Sequence, residues 1–400
     1  MNSLKFVMLT TFYPPYHLGG ACLHVYDLSN ELAKQGHEVH IIYSIDAYYL
    51  NRREPPKGNY PNHERIFLHP LKSKLGKAAP LICGFAGLSH PLASKALELV
   101  KEIKPEVVHH HNIAGFGPTV LDAKAQKVLY TAHDYWLICP RTTLLKPDKT
   151  FCDSRRNCFI CSLLWKRPPQ LWRLTAALEK RLPHIDMIIS PSEYMRRTLE
   201  RAGILQPIVT IPNFVPELEG DGEPIYPFPY FLFVGQLLVH KGLLNLVEAF
   251  GQVKNEIDAS LLIVGSGSLE GEVSKVIAQK GCQQRIRMLG RIDDKRTLAN
   301  LYANALAVVV PSIWPENAPL VALEALACGT PVIVSDKGGL PEIANKVDRS
   351  LIFGNINDLK DVLIHASRNS EDVPNMPRKV YEEFFTPQSF VERYFAELRQ

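Results

Sequence analysis

The sequence lacks a long apolar run, a cleavable leader pattern and a strong charge of either sign. Its 400 residues carry a formal net charge of +4, which is weaker than the concentrated basic signal of a nucleic-acid binder, so we expect no nucleic-acid partner. No apolar stretch approaches the length that spans a bilayer. The N-terminal segment, residues 1–9, has no small-residue cleavage site and predicts a first strand, not a signal peptide. These absences favour a cytoplasmic protein.

The length and composition indicate two globular domains. A chain of 400 residues is too long for one ordinary hydrophobic core. Hydrophobic residues at 46% and charged residues at 22% match a soluble globular protein, which excludes a disordered or fibrous chain.

Short apolar runs alternate with amphipathic stretches along most of the chain, as in a parallel sheet with crossover helices. The first half begins with a strand at residues 5–9, a helix at 22–35 and a strand at 38–44. Further strands are predicted at 106–109, 127–131, 187–190, 230–234, 260–264, 285–289, 307–310 and 331–335. Helices are predicted at 171–182, 192–202, 242–254, 269–280, 319–328 and 388–400.

Proline, glycine and acidic residues interrupt this rhythm at 213–229, which predicts an interdomain linker. We therefore expect an N-terminal domain over residues 1–212 and a C-terminal domain over 230–384. A terminal segment at 385–400 follows. Both domains are predicted to be doubly wound α/β, a fold in which ligands bind at the carboxyl ends of the strands.

The most informative segment is PENAPLVALE, residues 315–324. Glu316 lies in the loop after a predicted strand, and Glu324 lies one to two turns into the next helix. Unpaired backbone amides at a helix N-terminus attract an anion such as a diphosphate. The two carboxylates can accept hydrogen bonds from sugar and ribose hydroxyls. An acidic first turn that merely complements the helix dipole is the alternative. The residues between the two glutamates that we expect at the donor are Asn317, Ala318, Pro319, Leu320 and Val321.

This E-x7-E element resembles the hallmark of the retaining glycosyltransferases of family 4, which have the GT-B fold. The resemblance covers nearly the whole chain. It implies two Rossmann-like domains facing a central cleft, with an acceptor bound by the N-terminal half and a nucleotide-sugar donor by the C-terminal half. It implies Glu316 on the donor sugar, Glu324 on the ribose and the intervening amides on sugar and diphosphate. The loop at residues 287–291 resembles the one that meets the nucleobase, and the terminal helix is expected to cross back to the first domain.

A second family motif, FVGQLLVHKG, covers residues 233–242. Lys241 resembles the lysine that binds the donor diphosphate, replacing the work of a metal ion, so no metal is expected in catalysis. A solvated lysine at a helix start is the alternative. Gln236 departs from the family, which usually has an arginine there, and brings no charge. Leaving-group stabilisation is then either weaker or supplied by another residue, and Arg291 is one substitute that we would test.

In the first domain, Gly19 and Gly20 follow the first strand and precede a helix, where glycines allow a ligand close to the backbone. The resemblance implies that this loop faces the donor diphosphate, and a plain strand-to-helix turn is the alternative. The loop does not have the G-x-G-x-x-G spacing of a dinucleotide site. His133, just past the strand at 127–131, resembles the family's active-site histidine and is expected to make polar contact with the donor sugar. Asp134 is expected to cap or orient this loop.

Three consecutive histidines, at 109–111, close another strand. Adjacent strand residues point to opposite faces, so at most two of them can share a metal ion, and we favour a cleft-lining role for His111.

A segment with little periodicity, residues 139–170, contains a C-x12-C-x5-C-x2-C pattern. Four thiolates can hold a structural zinc ion, whereas free thiols or a disulfide are the favoured alternatives because the first two gaps are irregular. The four residues are Cys139, Cys152, Cys158 and Cys161.

Basic residues and tryptophans are interleaved around these cysteines. Such a composition suits peripheral contact with an anionic membrane at its cytoplasmic face, and hence a lipid-linked acceptor, although a solvated basic face explains it equally well. The basic residues are Arg141, Lys146, Lys149, Arg155, Arg156, Lys166, Arg167, Arg173, Lys180 and Arg181.

Together these patterns predict a retaining, metal-independent hexosyltransferase. We expect UDP-glucose as donor, with GDP-mannose and UDP-N-acetylglucosamine open, and a saccharide or lipid-linked saccharide as acceptor in polysaccharide or glycolipid assembly. The alternatives are a catalytically weak nucleotide-sugar-binding protein and an NAD(P)-dependent oxidoreductase. The latter should show a glycine fingerprint and an acidic ribose-binding residue in its first unit.

Overall fold

The computed structural model describes residues 3–87, 91–148, 150–152, 157–368 and 375–399. Lys149, Arg155 and Arg156 of the basic segment, and Gln400 of the predicted terminal helix, lie outside these residues. The chain forms two compact units: Met1–Ile211 with Val391–Gln400, and Pro212–Phe390. Within the described residues, no helix has both the length and the apolar character needed to cross a bilayer.

Unit 1 contains one sheet of seven parallel strands in the order β3-β2-β1-β4-β5-β6-β7. Strands β1, β4 and β5 are almost entirely buried, as is typical of central strands in a parallel sheet. The strands are β1 (Lys5–Leu9), β2 (Glu38–Ser44), β3 (Ile66–Leu71), β4 (Val107–His110), β5 (Lys127–Thr131), β6 (Met187–Ser190) and β7 (Ile208–Thr210).

Six helices belong to the described part of unit 1. Helix α6 begins where the Ser192 side chain accepts a hydrogen bond from the Met195 amide, a typical N-cap. The helices are α1 (Gly20–Lys34), α2 (Ile45–Asn51), α3 (Ala78–Ala86), α4 (Pro91–Ile103), α5 (Cys158–Leu164) and α6 (Glu193–Arg201).

The predicted helix at 171–182 is wrong. The segment has only two short 3₁₀ turns, Leu171–Leu174 and Leu182–His184. Neighbouring side chains are fixed to different loops: Trp172 donates to the Gly84 carbonyl, and Arg173 to the carbonyls of Trp136 and Leu137. Such anchoring does not produce the single apolar stripe that stabilises an α-helix.

Unit 2 contains one sheet of six parallel strands in the order β10-β9-β8-β11-β12-β13. Apolar clusters cover both of its faces, so the strands form the centre of a three-layer unit. The strands are β8 (Tyr230–Val234), β9 (Ser260–Val264), β10 (Ile286–Gly290), β11 (Ala307–Val310), β12 (Val332–Ser335) and β13 (Ile352–Phe353).

Eight helices begin in unit 2. The last begins there and belongs to unit 1 from Val391 onward, where the Tyr394 hydroxyl lies 3.1 Å from Nδ1 of His109. The helices are α7 (Leu243–Val253), α8 (Glu270–Gln279), α9 (Lys295–Ala303), α10 (Leu320–Ala327), α11 (Leu340–Ala344), α12 (Ile356–Arg368), α13 (Met376–Phe384) and α14 (Pro387–Leu398). Residues 213–229 have no regular structure.

Each sheet reverses its strand order once, between β1 and β4 in unit 1 and between β8 and β11 in unit 2. At such a point the loops leaving the two strands diverge and open a crevice at the carboxyl ends, where α/β sheets bind ligands. The two switch points are therefore the places to look for a site in each unit.

Candidate active site

The switch point of unit 2 brings Lys241 and Glu316 together. Lys241 ends the 3₁₀ turn Val239–Lys241 in the loop after β8, and Glu316 lies in the loop after β11. The Lys241 ammonium is 2.5 Å from Oε1 of Glu316. The Ser312 hydroxyl donates to the same oxygen over 2.7 Å. Two residues that sequence motifs singled out separately thus share one site.

Glu316 is a buried carboxylate kept ionised by its surroundings. Its side chain is 6% exposed, and burial alone would raise its pKa. The Lys241 charge, with hydrogen bonds from Lys241 and Ser312, outweighs burial and holds the pKa of Glu316 below its usual value. Because the ammonium is already neutralised, an incoming anion must compete with Glu316 for Lys241.

Close backbone packing fixes the loops that carry this pair. Gly242 has φ 70°, and a Cβ there would lie 1.8 Å from the Pro311 carbonyl oxygen. Gly338 has φ 66°, and a Cβ there would lie 2.1 Å from the Glu316 carbonyl oxygen. That oxygen accepts a 2.7 Å hydrogen bond from the Gly339 amide. Only glycine fits at both positions, so the loop after β12 supports Glu316 from behind.

The amides beside Glu316 lie at the start of α10. Pro319 is the N-cap and gives no side-chain cap, so the first amides, from Leu320 and Val321, have no intrahelical acceptor. Asn317 is buried, and the Ala318 carbonyl accepts a 2.9 Å hydrogen bond from the Asn213 side-chain amide. This arrangement is the type of helix N-terminus that binds anions in other proteins.

Glu324, on α10, is held by a residue that the sequence analysis missed. The buried Tyr302 hydroxyl donates to Oε2 of Glu324 over 2.7 Å. Burial raises the pKa of Glu324, and the Tyr302 hydrogen bond and the nearby Lys295 partly offset that rise. One carboxylate oxygen is thereby fixed in place while the residue keeps partial solvent exposure.

The structure does not bring Arg291 to the Lys241–Glu316 pair. Arg291 follows the edge strand β10, and β9 separates that strand from β8. Two strand spacings amount to roughly 10 Å. The Arg291 guanidinium pairs with Asp293, 2.6 Å away, and both side chains are exposed. Gln236 is an exposed residue immediately after β8.

The switch point of unit 1 contains the glycine loop and a group of histidines. Gly19 and Gly20 form the N-terminus of α1, where no side chain caps the helix and a Cβ on Gly19 would meet no atom within 4 Å.

His133 is the end of a buried series of imidazole rings. The tilted rings of His109 and His111 have centroids 4.0 Å apart, and Nδ1 of His111 lies 3.0 Å from Nε2 of His133. The His24 ring is 5.4 Å from that of His133. Burial lowers the pKa of His133 to about 4 and those of His24, His109 and His111 well below the usual value. All four rings are neutral near pH 7, so they offer hydrogen bonds without positive charge.

A partly buried arginine anchors the loop that carries His133. Arg173 donates to the carbonyls of Trp136 and Leu137 and, over 2.5 Å, to the Gln170 side chain. Its guanidinium also stacks on the Trp172 ring, 4.4 Å away. Asp134 accepts a 2.8 Å hydrogen bond from the Trp136 amide, and burial raises its pKa to about 6. The insertion at 139–170 and the turn that follows it are thus tied to this loop.

The zinc prediction is wrong. Cys139, Cys152, Cys158 and Cys161 are all described, and each is a free thiol. Throughout the described ranges, no three His, Cys, Asp or Glu side chains are grouped in a way that could hold a metal ion, and this includes the histidines at 109–111. The alternative of free thiols agrees with the structure.

The missed residues were hidden for a physical reason. Tyr302 and Arg173 make contacts between segments far apart in sequence, which periodicity does not reveal, and Ser312 contacts Glu316 within one irregular loop. For the loop behind Glu316 a sequence signal was available. Paired glycines after a strand, such as those at 338–339, often mark close backbone contact.

Two family models match the chain in succession. The model described as Glycosyltransferase Family 4 matches residues 18–217, half of the chain, and the model described as Glycosyl transferases group 1 matches residues 223–382. The chain belongs to glycosyltransferase family 4.

Individual relatives agree with this assignment. This family-4 glycosyltransferase is 34% identical to the MMP alpha-(1->4)-mannosyltransferase of Mycolicibacterium hassiacum, over 84% of this chain and 82% of the relative. Its fold is similar to that of sucrose-phosphate synthase from Thermosynechococcus elongatus, with a TM-score of 0.74, 20% identity and coverage of 99% and 98% of the two chains.

Anabaena HepE in complex with UDP-glucose is also similar in fold, with a TM-score of 0.65, 16% identity and 99% coverage of both chains. The two Rossmann-like units and these similarities confirm the predicted GT-B fold. They exclude the oxidoreductase alternative for this family-4 glycosyltransferase.

Proposed function

We propose that this glycosyltransferase moves a hexosyl group from a UDP-sugar to a saccharide or lipid-linked saccharide, with retention of anomeric configuration and without a metal ion. The observation that carries the proposal is the 2.5 Å contact between Lys241 and Glu316 beside the free amides of α10. One site thereby offers a cation, helix-terminal donors and a carboxylate, which suit a diphosphate attached to a hydroxylated sugar.

In the proposed complex the diphosphate replaces Glu316 as the ion-pair partner of Lys241. The ammonium and the amides of Leu320 and Val321 then bear the charge that builds up on the departing phosphate. Glu316, released from the ion pair, accepts hydrogen bonds from sugar hydroxyls, and Asn317 and Ala318 contribute their backbone amides. A positioned lysine supplies the electrostatic stabilisation that a metal ion supplies in other sugar transferases.

The ribose is assigned to Glu324. One of its oxygens is held by Tyr302, so the carboxylate has a fixed orientation and its remaining lone pairs can accept from a ribose diol. The backbone after β10, near residue 290, is the proposed contact for the base. Gln236 is proposed to donate a neutral hydrogen bond to a phosphate oxygen, which is weaker than the contact that arginine would make.

His133 remains our proposed catalytic residue of unit 1. Since its imidazole is neutral, it can hydrogen-bond to a sugar hydroxyl without attracting the diphosphate. Retention follows in our proposal from internal return, in which the departing phosphate oxygen takes the acceptor proton. The protein then contributes geometry and charge and needs no general base. Gly19 and Gly20 are proposed to offer backbone amides to the donor phosphates.

Uridine and glucose are the proposed donor components. Support comes from the similarity in fold to HepE, whose structures contain UDP, UDP and glucose, and UDP-glucose. The similarity to a mannosyltransferase and to sucrose-phosphate synthase leaves other donor hexoses and other acceptors open.

The test is a panel of UDP- and GDP-hexoses incubated with the protein and a mixed saccharide acceptor, in the presence of EDTA. We expect nucleotide diphosphate release with UDP-glucose, undiminished by EDTA, and an α-linked product by NMR. Tight UDP binding with no release from any donor would instead indicate a binding protein. Activity that EDTA abolishes would contradict metal independence.

A further inference from the structure

Exposed large hydrophobic side chains are concentrated in one part of unit 1. Of the fifteen such residues among those described, nine lie between Leu75 and Leu174. On α3 they are Leu81, Ile82 and Phe85, exposed by 41–45%; on α5 the most exposed are Ile160, Leu163 and Leu164, at 51–65%. Soluble proteins seldom expose apolar residues in such concentration without a partner.

The turn Leu171–Leu174 packs on α3 and borders a cavity that α5 also lines, which places the two helices on neighbouring parts of unit 1. The Trp172 indole donates to the Gly84 carbonyl over 3.0 Å, and a Cβ on Gly87 would lie 2.4 Å from the Trp172 side chain, so this turn packs directly on α3. Phe159 of α5 and Leu174 of the turn line the same cavity. We call the exposed residues of α3, α5 and this turn the apolar surface.

The chain segments that flank the apolar surface are predominantly basic, and Glu179, which lines the cavity with Phe159 and Leu174, is the first acidic residue after them. No aspartate or glutamate occurs from residue 65 to 97, or from 154 to 178. Lys72, Lys74 and Lys77 precede α3, Lys166 and Arg167 follow α5, and all five are exposed. A row of exposed apolar side chains with lysines and arginines around it is typical of proteins that lie on anionic lipid.

We propose that the apolar surface docks on an anionic lipid bilayer. Helices α3 and α5 have nine and seven residues, so they lie at the interface, with apolar side chains among the acyl chains and basic groups among the headgroups. A second copy of this chain fits less well, because an isologous contact through this surface would bring two cationic rims together.

The proposal goes beyond the proposed function and is independent of it. It agrees with a lipid-linked acceptor, but vesicle binding is measured without donor or acceptor. Failure of membrane binding would therefore leave the transfer reaction untouched, and inactivity on every donor would leave the membrane surface untouched.

The experiment is flotation of the full chain with vesicles of phosphatidylcholine alone and of equal parts phosphatidylcholine and phosphatidylglycerol. We expect binding to the mixed vesicles that weakens with added salt. The variants I82S/F85S and L163S/L164S should each lower the partition coefficient about tenfold, because each removes two inserted side chains. Leu205→Ser is the matched control: Leu205 is 90% exposed in unit 1 but lies outside the apolar surface, and its variant should bind as the wild type does.

A triple variant, K72Q/K74Q/K77Q, tests the charge independently of the apolar residues. At low ionic strength it should bind the mixed vesicles on the order of a hundredfold more weakly and lose most of its salt dependence. Wild-type chain that ignores anionic vesicles would overturn the proposal. So would unchanged binding by both apolar variants, or a wild-type dimer that these variants convert to monomer.

Discussion

The switch points of the two units are built from opposite kinds of polar group. In unit 2 a lysine and a buried carboxylate are in contact, and both are charged. In unit 1 four imidazole rings lie in contact with one another, and burial keeps them neutral. The same sheet topology therefore presents a charged crevice in one unit and a neutral polar one in the other. Whether a switch point can bind an anion therefore depends on the residues of its loops, and the sheet topology alone does not determine it.

The largest effect is expected from removing the cation of unit 2. We expect Lys241→Ala to lower kcat/KM about a thousandfold, because a buried leaving-group charge would lose its main support. Glu316→Gln should separate binding from transfer: turnover falls comparably, whereas UDP binds as well as or better than to the wild type, since Lys241 is no longer paired. Calorimetry with UDP and a nucleotide-release assay measure both effects.

Lys275→Ala, on the exposed side of α8, is the control for a lost lysine and should be unaffected in both assays. Weaker UDP binding in Glu316→Gln would contradict competition between the carboxylate and the diphosphate.

In unit 1 we test whether Arg173 positions the loop that carries His133. Arg173→Ala should lower kcat about a hundredfold, because a displacement of about 1 Å at a reacting group has an effect of that size. Arg173→Lys, which keeps the charge but cannot reach two carbonyls and Gln170 together, should lose about tenfold. UDP affinity should stay constant in both variants, since Lys241 and Glu316 are in the other unit. A parallel fall in UDP affinity would indicate general unfolding instead of a positioning role.

A smaller effect is expected within unit 2 from Tyr302→Phe. Loss of one hydrogen bond to a carboxylate is worth about 1.5 kcal/mol, or roughly tenfold in UDP affinity. The preference for UDP over 2′-deoxy-UDP should fall at the same time, because Glu324 would lose its fixed orientation. If the variant discriminates between these nucleotides as the wild type does, Glu324 does not contact the ribose.

The smallest effect concerns the acid stability of unit 1. His110 is fully buried, neither ring nitrogen has a hydrogen-bond partner among the described residues, and burial lowers its pKa to about 3. An unfolded histidine has a pKa of about 6.5, so between these values the unfolded chain binds the extra proton and stability falls as the pH is lowered. His110→Val should remove this contribution.

The free energy of unfolding of His110→Val, measured by urea titration from pH 6.5 downward, should depend less steeply on pH than that of the wild type. The difference should be at most about 1.4 kcal/mol per pH unit, the limit for one proton. His365→Gln, at an exposed position on α12, serves as the control. Parallel profiles for His110→Val and the wild type would contradict the burial of a neutral ring.

The sequence predicted the strands best, because a fully buried parallel strand is a short apolar run whose ends are sharp. The runs at 5–9, 127–131 and 230–234 coincide with β1, β5 and β8. Lys241 and Glu316 could likewise be placed in loops at strand ends. Their ion pair could not be predicted, since it depends on which strands are neighbours in the sheet.

The region from 134 to 182 was predicted worst. Its conformation depends on side chains that reach backbone carbonyls, such as Arg173 and Trp172, and such contacts leave no periodic pattern. The spacing of the four cysteines was also a poor guide to their arrangement in space. Four thiols near one another in sequence resemble a ligand set, but spacing alone does not determine whether their sulfur atoms converge on one point.

The contact between Lys241 and Glu316 also bears on how the enzyme would finish a cycle. In the proposed reaction, Glu316 has no hydroxyl to bind once the sugar has been transferred. The nearest opposite charge is then Lys241, which is proposed to bind the remaining nucleotide. When Glu316 pairs with Lys241 again, it weakens the proposed contact between Lys241 and UDP, which favours release of UDP after transfer. We therefore expect UDP to leave Glu316→Gln more slowly than the wild type, which stopped-flow displacement can measure.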